Sequence, residues 1–358
     1  MKIFNGAALL TLAVAVALPF TRDVVAAPLV DVLDTPATQS PLAAKGILTG
    51  IAQSGNRLVV VGQRGHILYS DDSGQHWQQA QVPVSSDLVA VHFPTPSHGW
   101  AVGHDGVVLH SSDAGATWQR QLDGRQIGAL MLQYYQHLAV LQPEDEGLAT
   151  WLAEAQRVDE QGADKPFLDV WFANERDGYI VGAFGLILRT EDGGVSWRPL
   201  LERVDNPGQL HLYAIRPVGD ELFVVGEQGL VLRLDQASQR FVERPTPYNG
   251  SFFGILGKPD GVLVYGLRGH VFRSSDSGKS WTQVKTGLEI SITAGTATAD
   301  GRLVLLTQAG HVLVSRDDGV SFHPAEQSHL VPTSAATAQG ADSLVLAGPR
   351  GVHVLPFE

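Results

Sequence analysis

The sequence lacks cysteine altogether and has only 2 methionines among its 358 residues. Without cysteine there is no disulfide framework, no thiol nucleophile and no lipid-modified N-terminal cysteine. Lysine is also scarce, with 6 residues against 19 arginines, and the formal net charge of −12 argues against nucleic-acid binding. The planar fork of arginine suits carboxylates and backbone carbonyls, so the arginine bias fits recognition, although GC-driven codon usage explains it equally well.

Long apolar runs are absent after the N-terminus. Residues 3–20 form an apolar run behind Lys2, and residues 24–26 are small residues typical of a cleavage site. This pattern predicts a secretory signal peptide over residues 1–26, cleaved after Ala26. No later stretch approaches membrane-spanning length. We therefore expect an exported protein of the periplasm or an equivalent lumen that is a monomer when free and meets a membrane only through a partner.

Six copies of one pattern run along the chain. Each has a segment ending in Gly, then x-x-Gly, an apolar run, and an acidic turn closed by an aromatic residue, as in residues 100–118. From Trp77 onward the closing aromatics lie 41, 79, 44, 40 and 41 residues apart. A period near 40 with strand-like content is typical of the four-stranded blade of a β-propeller. The sequence therefore predicts an all-β fold built as a ring.

A seventh, incomplete copy sets the predicted number of blades. It begins at Leu344, and the chain ends at Glu358 with no acidic turn and no full outer strand. An unpaired outer edge is an aggregation hazard, and residues 29–33 can supply the missing strand. We therefore predict a seven-bladed β-propeller closed by an N-terminal strand. The predicted segments are 27–46 for the closing strand, 47–122 for blades 1 and 2, and 167–358 for blades 3 to 7.

The interval of 79 residues contains an insertion, residues 123–166, between blades 2 and 3. Apolar residues recur there at helical spacing in two groups, which predicts a helical hairpin. The insertion has two interpretations: a tolerated surface segment packed on the rim, or an arm that docks a partner. Trp151 and the paired Tyr134 and Tyr135 on so short a segment favour the arm.

The acidic turns follow the pattern Ser/Thr-x-Asp-x-Gly-x-x-aromatic. This pattern resembles the Asp-box, or BNR, repeat of sialidases and related propellers, and repeat four has a degraded copy around Gln236, Ser238 and Phe241. We expect a structural role, in which the carboxylate accepts backbone N–H groups within its turn and the aromatic packs between blades. The structural residues are Asp72, Asp113, Asp192, Asp276 and Asp317, with Trp77, Trp118, Trp197 and Trp281.

Catalysis finds little support in the sequence. Sialidase-like enzymes combine an arginine triad, a Tyr–Glu nucleophile pair and an acidic proton donor. Their usual sequence context is missing here, and the connections between blades are short. A glycoside hydrolase of the sialidase-like BNR type, or a carbohydrate-binding propeller using exposed aromatics such as Phe184, is kept as the alternative. We expect no enzyme activity and no catalytic residue.

A metal site and a cofactor are not expected either. His66, His270 and His311 follow the turn glycines, at the start of the strand that is third from the axis in its predicted blade. At about 4.8 Å per strand these imidazoles lie too far out to meet on one ion.

Arginines recur at turn positions that a propeller brings to one face. With the strands of each blade called A to D from the axis outward, antiparallel order places the B–C turns and the D–A connections on one face and the acidic turns on the other. Repeated arginines suit an extended acidic or C-terminal peptide better than one small anion. The predicted partner-binding residues are Arg64, Arg268 and Arg350 in B–C turns and Arg189, Arg233 and Arg273 in strand C.

The full pattern closely resembles the photosystem II stability/assembly factor family over nearly all of residues 50–358 except the insertion. It rests on the Val-Gly-x-x-Gly…Ser-x-Asp-x-Gly-x-x-Trp repeat and the Gly-x-Arg-Gly turns. The resemblance implies a non-enzymatic, lumenal or periplasmic propeller whose arginine-lined face holds a membrane-protein subunit during assembly. Arg64, Arg268 and Arg350 match the turn arginines. A photosystem subunit and a periplasmic portion of another membrane complex, such as a transporter, are both open as the partner.

Overall fold

The computed structural model describes residues 30–357, so the predicted signal peptide lies outside the described residues. Its strands form seven antiparallel sheets, six of four strands and one of three. The sheets are named here by their order along the chain. Sheet 1 contains β1 (Leu48–Ser54), β2 (Arg57–Gly62), β3 (Ile67–Ser70) and β4 (Gln78–Gln79). Sheet 2 contains β5 (Leu88–His92), β6 (Gly99–Gly103), β7 (Val108–Ser111) and β8 (Gln119–Leu122).

Two helices and the remaining sheets follow sheet 2. The helices are α1 (Gly124–Leu141) and α2 (Leu148–Gln161). Sheet 3 contains β9 (Phe167–Phe172), β10 (Gly178–Gly182), β11 (Ile187–Thr190) and β12 (Arg198–Pro199). Sheet 4 contains β13 (Leu212–Val218), β14 (Glu221–Gly226), β15 (Val231–Asp235) and β16 (Arg240–Glu243). Sheet 5 contains β17 (Phe252–Lys258), β18 (Gly261–Gly266), β19 (Val271–Ser274) and β20 (Thr282–Val284). Sheet 6 contains β21 (Ile292–Ala297), β22 (Leu303–Thr307), β23 (Val312–Ser315) and β24 (His323–Pro324), and sheet 7 contains β25 (Ala335–Gln339), β26 (Ser343–Gly348) and β27 (Gly351–Pro356).

The sheets are arranged as a β-propeller, which confirms the all-β class predicted from the repeats. Strand A of each sheet contacts strand A of the next, and β25 of sheet 7 contacts β1 of sheet 1. The apolar core lies between neighbouring sheets, where nearly every residue of the second strands is buried. Within residues 30–357, neither helix has the length and apolar content of a membrane-spanning segment.

The predicted N-terminal closing strand is wrong for the described residues. Residues 30–46 contain two short 3-10 helices, Val32–Asp34 and Ala43–Lys45, and sheet 7 has three strands. The Asp31 side chain accepts the Leu33 N–H and starts the first of these helices. Leu33 is buried with residues of sheets 1 and 2 rather than against the outer edge of sheet 7 that it was expected to cover. The apolar pattern that suggested a strand therefore belongs to a capped turn with one buried anchor.

Each Asp-box carboxylate is used within its own turn. Asp113 accepts the Ser111 hydroxyl at 2.8 Å, the Thr117 N–H at 2.9 Å and the Thr117 hydroxyl at 2.7 Å. The other four carboxylates make the same contact with the Ser or Thr two residues earlier. Hydrogen bonds from Ser280 and from Ser321 lower the pKa of Asp276 and of Asp317, respectively, to about 2.

Asp113→Ala is expected to lower the free energy of unfolding by about 1–2 kcal/mol, because the turn donors lose their acceptor. Chemical denaturation measures this loss, with the exposed Asp260→Ala as a control that should change little. Equal losses in Asp113→Ala and Asp260→Ala would contradict the structural role of the Asp-box carboxylate.

The ionised Asp276 and Asp317 should stabilise the fold fully above about pH 4, and this contribution should disappear as the pH falls towards 2, because their pKa values are depressed in the folded state.

Candidate functional site

The B–C turns share one conformation in the first five sheets. The residue before the second turn glycine has a positive φ, for example 58° at Arg64 and 55° at Arg268, and the glycine after it is also positive. Two successive positive φ values are typical of the type I′ hairpin turn, whose twist matches that of the strands it joins. This geometry leaves the side chain of the first residue at the tip of the turn. We call the face of the propeller that carries these turn tips the turn face.

Three arginines at turn tips are exposed: Arg64 in sheet 1, Arg268 in sheet 5 and Arg350 in sheet 7. Among residues 30–357, no carboxylate lies within salt-bridge distance of these three guanidinium groups. The backbone rather than the side chain is anchored, since Asp87 accepts the Arg64 N–H at 2.8 Å and Ser291 accepts the Arg268 N–H at 3.3 Å. The turns of sheets 1 and 5 are thus fixed, while the three guanidinium groups are available for a carboxylate or a carbonyl.

The second set of predicted arginines is placed elsewhere. Arg189 pairs with Glu191 at 2.8 Å, and Arg233 pairs with Glu221 at 2.5 Å. Arg273 donates to the Asp318 carbonyl at 2.9 Å, which ties sheet 5 to the Asp-box turn of sheet 6. These contacts lie on the acidic-turn side, so the structure does not bring this set together with the turn-tip arginines. We carry only Arg64, Arg268 and Arg350 forward as candidates.

The helical hairpin α1–α2, called here the helical arm, begins against a B–C turn. Gly106 of that turn approaches Gly124 and Ile127 so closely that an added Cβ would lie 2.8 Å from each. Asp123 caps α1 by accepting the Arg125 N–H, and Arg125 also binds Asp34 at 2.8 Å. The hydrogen bonds that Arg125 donates to the carboxylates of Asp123 and Asp34 raise its pKa above its ordinary value. These contacts fix the base of the arm to sheet 2 and to the N-terminal segment.

Two tyrosines fix the middle of the arm to the ring. The hydroxyls of Tyr134 and Tyr135 each donate to Glu202 at 3.0 Å, and Trp151 of α2 stacks on Tyr135. Burial is the main cause that raises the pKa of Tyr135, and the charge of Glu202 adds to it. The middle of the arm is therefore held against the short 3-10 turn Leu201–Arg203 that follows β12.

Tyr135→Phe should lower the free energy of unfolding by about 1.5–3 kcal/mol, because the partly buried carboxylate of Glu202 loses one of its hydrogen-bond donors. The comparison is Tyr69→Phe, which removes a hydroxyl bonded to the exposed end of Gln78 and should cost well below 1 kcal/mol. Urea denaturation of both variants measures the difference. If Tyr135→Phe were as stable as wild type, the arm would not depend on Glu202.

An aromatic run crosses the turn face towards the axis. Phe184, the turn tip of sheet 3, is 43% exposed, and its ring centroid lies 4.9 Å from that of His211. His211 is followed by Tyr213 at 6.3 Å and Tyr213 by Phe253 at 5.5 Å. The last two rings line the central channel. Of these rings only Phe184 is predicted from the sequence, although Tyr213 and Phe253 occupy equivalent positions at the start of strand A.

The central channel contains a charged pair that is not among the residues predicted from the sequence. The cavity is about 230 Å³ and is lined by strand A of all seven sheets. Asp169 is buried there and accepts the Ile215 N–H at 2.8 Å and Arg216 Nη1 at 2.5 Å. Burial raises the pKa of the Asp169 carboxyl, an effect that Arg216 opposes. The equivalent position in the other six sheets is Gly or Ala, a contrast visible in the sequence once the repeats are aligned.

Comparisons with known proteins agree with the repeat pattern. The family model described as photosynthesis system II assembly factor YCF48 matches residues 72–133 and 150–319. The photosystem II assembly lipoprotein Ycf48 of Synechococcus sp. (strain CC9902) is 24% identical over 164 residues, which cover 45% of this chain and 49% of that protein. The chloroplastic photosystem II stability/assembly factor HCF136 of Arabidopsis thaliana is 33% identical over 81 residues, or 22% of this chain and 20% of that protein. The matched stretches thus span about half or less of these relatives.

Solved structures share the fold at low sequence identity. A structure described as YCF48 bound to D1 peptide has a TM-score of 0.62 at 17% identity, covering 87% of this chain and 93% of that one. YCF48 from Cyanidioschyzon merolae gives 0.60 at 17% identity, covering 90% and 98%. The WD40 propeller domain of Doa1 gives 0.61 at 8% identity, covering 91% and 96%. A propeller of unrelated sequence thus fits as well, so these likenesses show the architecture alone.

Proposed function

The chain belongs to the photosynthesis system II assembly factor YCF48 family, and on that basis we propose that it binds a membrane-protein subunit and assists the assembly or stability of its complex. We propose that it does so as an exported, non-catalytic propeller through the turn face. The subunit is one of photosystem II or of another membrane complex with an exposed acidic or C-terminal segment.

One observation carries the proposal: three exposed guanidinium groups, none with a carboxylate partner among residues 30–357, stand on turns of the same face as an aromatic run. Arginines whose charges are neutralised internally would have little left for a ligand, and this chain satisfies many of its other arginines with carboxylates. Each of these guanidinium groups can form a bidentate contact with a carboxylate of a peptide. The relative whose structure is described as bound to D1 peptide makes a peptide ligand a reasonable choice for this face.

The architecture supports a flat docking surface. We take the seven sheets as seven blades of one ring, with the helical arm rising beside the turn face between sheets 2 and 3. The contact of Gly106 with Gly124 and the bonds of Tyr134 and Tyr135 to Glu202 support this position. The family match omits residues 134–149, which are the second half of α1, the loop and the first residues of α2, so this part of the arm is a place where this chain can differ from its relatives in partner choice.

Site-specific photo-crosslinking in native cells tests the proposal. A crosslinking amino acid replaces Phe184 on the turn face or Val195 on the acidic-turn face, both exposed apolar residues. We expect a crosslink from position 184 to one membrane-embedded protein and no such product from position 195. The two variants are matched in chemistry and differ in the face that carries the probe.

Two results would contradict the proposal. Equal crosslinking from both faces would indicate non-specific proximity, and crosslinks only from position 195 would place the partner on the other face. Mass spectrometry of the product from position 184 identifies both the partner and its contacting segment. A segment outside the membrane that is acidic or lies at a chain end is the expected answer.

A further inference from the structure

Sheet 4 is the four-stranded sheet that lacks an Asp-box. In sheets 2 and 6 the glycine of the box packs tightly on strand B of the preceding sheet: an added Cβ at Gly115 would lie 3.1 Å from Val59, and one at Gly319 would lie 2.5 Å from Leu263. Such close approach fills the space between the two sheets. The equivalent strand B residue of sheet 3 is Tyr179, and sheet 4 has no Asp-box glycine to pack on it.

The turn of sheet 4 takes a different course. Leu234, Gln236 and Ser238 stand at the positions of the box Ser/Thr, Asp and Gly. The turn closes through Asp235, whose carboxylate accepts the Ser238 N–H at 3.0 Å, and Gln239 adopts a φ of 54°. A cavity of about 420 Å³ lies between this turn and sheet 3, and we call it the sheet 3–4 pocket.

Flat groups form one wall of the sheet 3–4 pocket. Trp171, Tyr179 and Arg189 are cross-strand neighbours on β9, β10 and β11. The rings of Trp171 and Tyr179 are stacked with centroids 6.2 Å apart, and the Arg189 guanidinium lies 5.5 Å from the Tyr179 ring. Arg189 is held there by Gln239 at 3.0 Å and by Glu191. The wall is therefore rigid and apolar with one fixed cation.

Polar groups line the remainder of the pocket. Asp177 and Asp220 lie at its edge, and within the described residues neither forms a salt bridge. Asn174 donates an amide N–H to Asp177 at 3.0 Å, and Gln236 adds a second amide. The pocket thus presents acceptors and donors together beside an aromatic surface.

This combination selects among ligand charges. A cation would find the cation–π position over Tyr179 already occupied by the guanidinium of Arg189, which is paired with Glu191. An anion would be repelled by the carboxylates of Asp177 and Asp220 at the edge of the pocket. A neutral sugar ring avoids both penalties, since its hydroxyls donate to carboxylates and accept from amides while its C–H face packs on an aromatic ring.

We propose that the sheet 3–4 pocket binds a neutral pyranose sugar of a glycan. Its volume lies within the range of small-molecule sites, and it opens on the acidic-turn side of the propeller. The site is therefore independent of the turn face, and the protein can hold a glycan while a subunit occupies the other face.

Isothermal titration calorimetry and saturation-transfer NMR on the full chain test the site with maltose, cellobiose and N,N′-diacetylchitobiose. We expect saturable binding of at least one of them in the millimolar range or tighter, and at least a ~10-fold loss in Trp171→Ala, because the stacking surface is removed. Trp151→Ala, a half-buried tryptophan of the helical arm, is the matched control and should bind as wild type does.

A second variant distinguishes loss of the binding site from loss of protein stability. Leu234→Ser, Gln236→Asp and Ser238→Gly together rebuild the Asp-box and should fill the pocket, so binding should be lost while the unfolding temperature is kept or raised. No saturable binding of the three disaccharides at ~10 mM overturns the proposal. So does binding that survives both variants, or binding of only sialyllactose or spermidine, which would assign the wrong charge class.

Discussion

Reversing the three turn-tip arginines, Arg64→Glu, Arg268→Glu and Arg350→Glu together, should weaken binding to the captured membrane-protein segment by at least ~100-fold. A hydrogen bond to a charged group contributes about 1.5–3 kcal/mol, and 1.4 kcal/mol corresponds to a factor of ten. Reversal also replaces attraction to an acidic segment by repulsion. Surface plasmon resonance with a synthetic peptide of the crosslinked segment measures the change.

The control for this prediction must change the net charge equally. Arg176, Lys279 and Arg316 are exposed cations near the acidic turns, on the opposite face. Their joint replacement by Glu gives the same charge difference but should alter affinity by less than ~5-fold, and this residual effect should vanish at high salt because long-range interactions are screened. Equal loss in the two triple variants would show that net charge, not the turn face, determines binding.

Single reversals add a test of geometry. Arg64 and Arg350 stand on sheets 1 and 7, which are neighbours in the ring, whereas Arg268 stands on sheet 5. An extended segment that reaches all three should lose affinity with each variant. A short chain end bound by the neighbouring pair should be insensitive to Arg268→Glu, so the pattern of losses measures the footprint.

Much of the fold follows from local signals repeated along the chain. The turn glycines and the Asp-box have a required conformation that only a few residue types satisfy, so each copy identifies its own place in the blade. The prediction of an N-terminal strand was wrong because a short apolar run such as Val30–Leu33 contains no residue with a required backbone conformation. Its structure was decided by the Asp31 cap and by a tertiary contact of Leu33.

The site is harder to predict because it depends on which repeats differ. Arg189, Arg233 and Arg273 recur as regularly as the turn-tip arginines, and only the positions of Glu191, Glu221 and Asp318 show that they are internally bound. Conversely, Asp169 and the altered turn around Ser238 are single departures from the pattern. Departures of this kind mark functional or strained places better than the repeats themselves.

Arg216→Met should lower the free energy of unfolding by about 3 kcal/mol, near the lower end for breaking a buried pair. The Arg216 side chain is 37% exposed, but its partner Asp169 is only 3% exposed and would be left in the channel without its cation. Lys258→Met is the matched control, since Lys258 is 38% exposed and its partner Asp318 is 58% exposed. That variant should cost less than about 1 kcal/mol, as exposed pairs do.

The pH dependence of Arg216→Met identifies the cause of the loss. Burial already raises the pKa of Asp169 above its ordinary value of 3.8, and removal of Arg216 should raise it further. A carboxyl that binds its proton more tightly in the folded than in the unfolded state makes stability fall as the pH rises above about 4. The variant should therefore lose more stability relative to wild type at pH 8 than at pH 5. Adding Asp169→Ala should remove this pH dependence and restore most of the loss at pH 8, because no uncompensated charge is then buried; a double variant as unstable as Arg216→Met alone would instead assign the loss to the packing of the arginine stem.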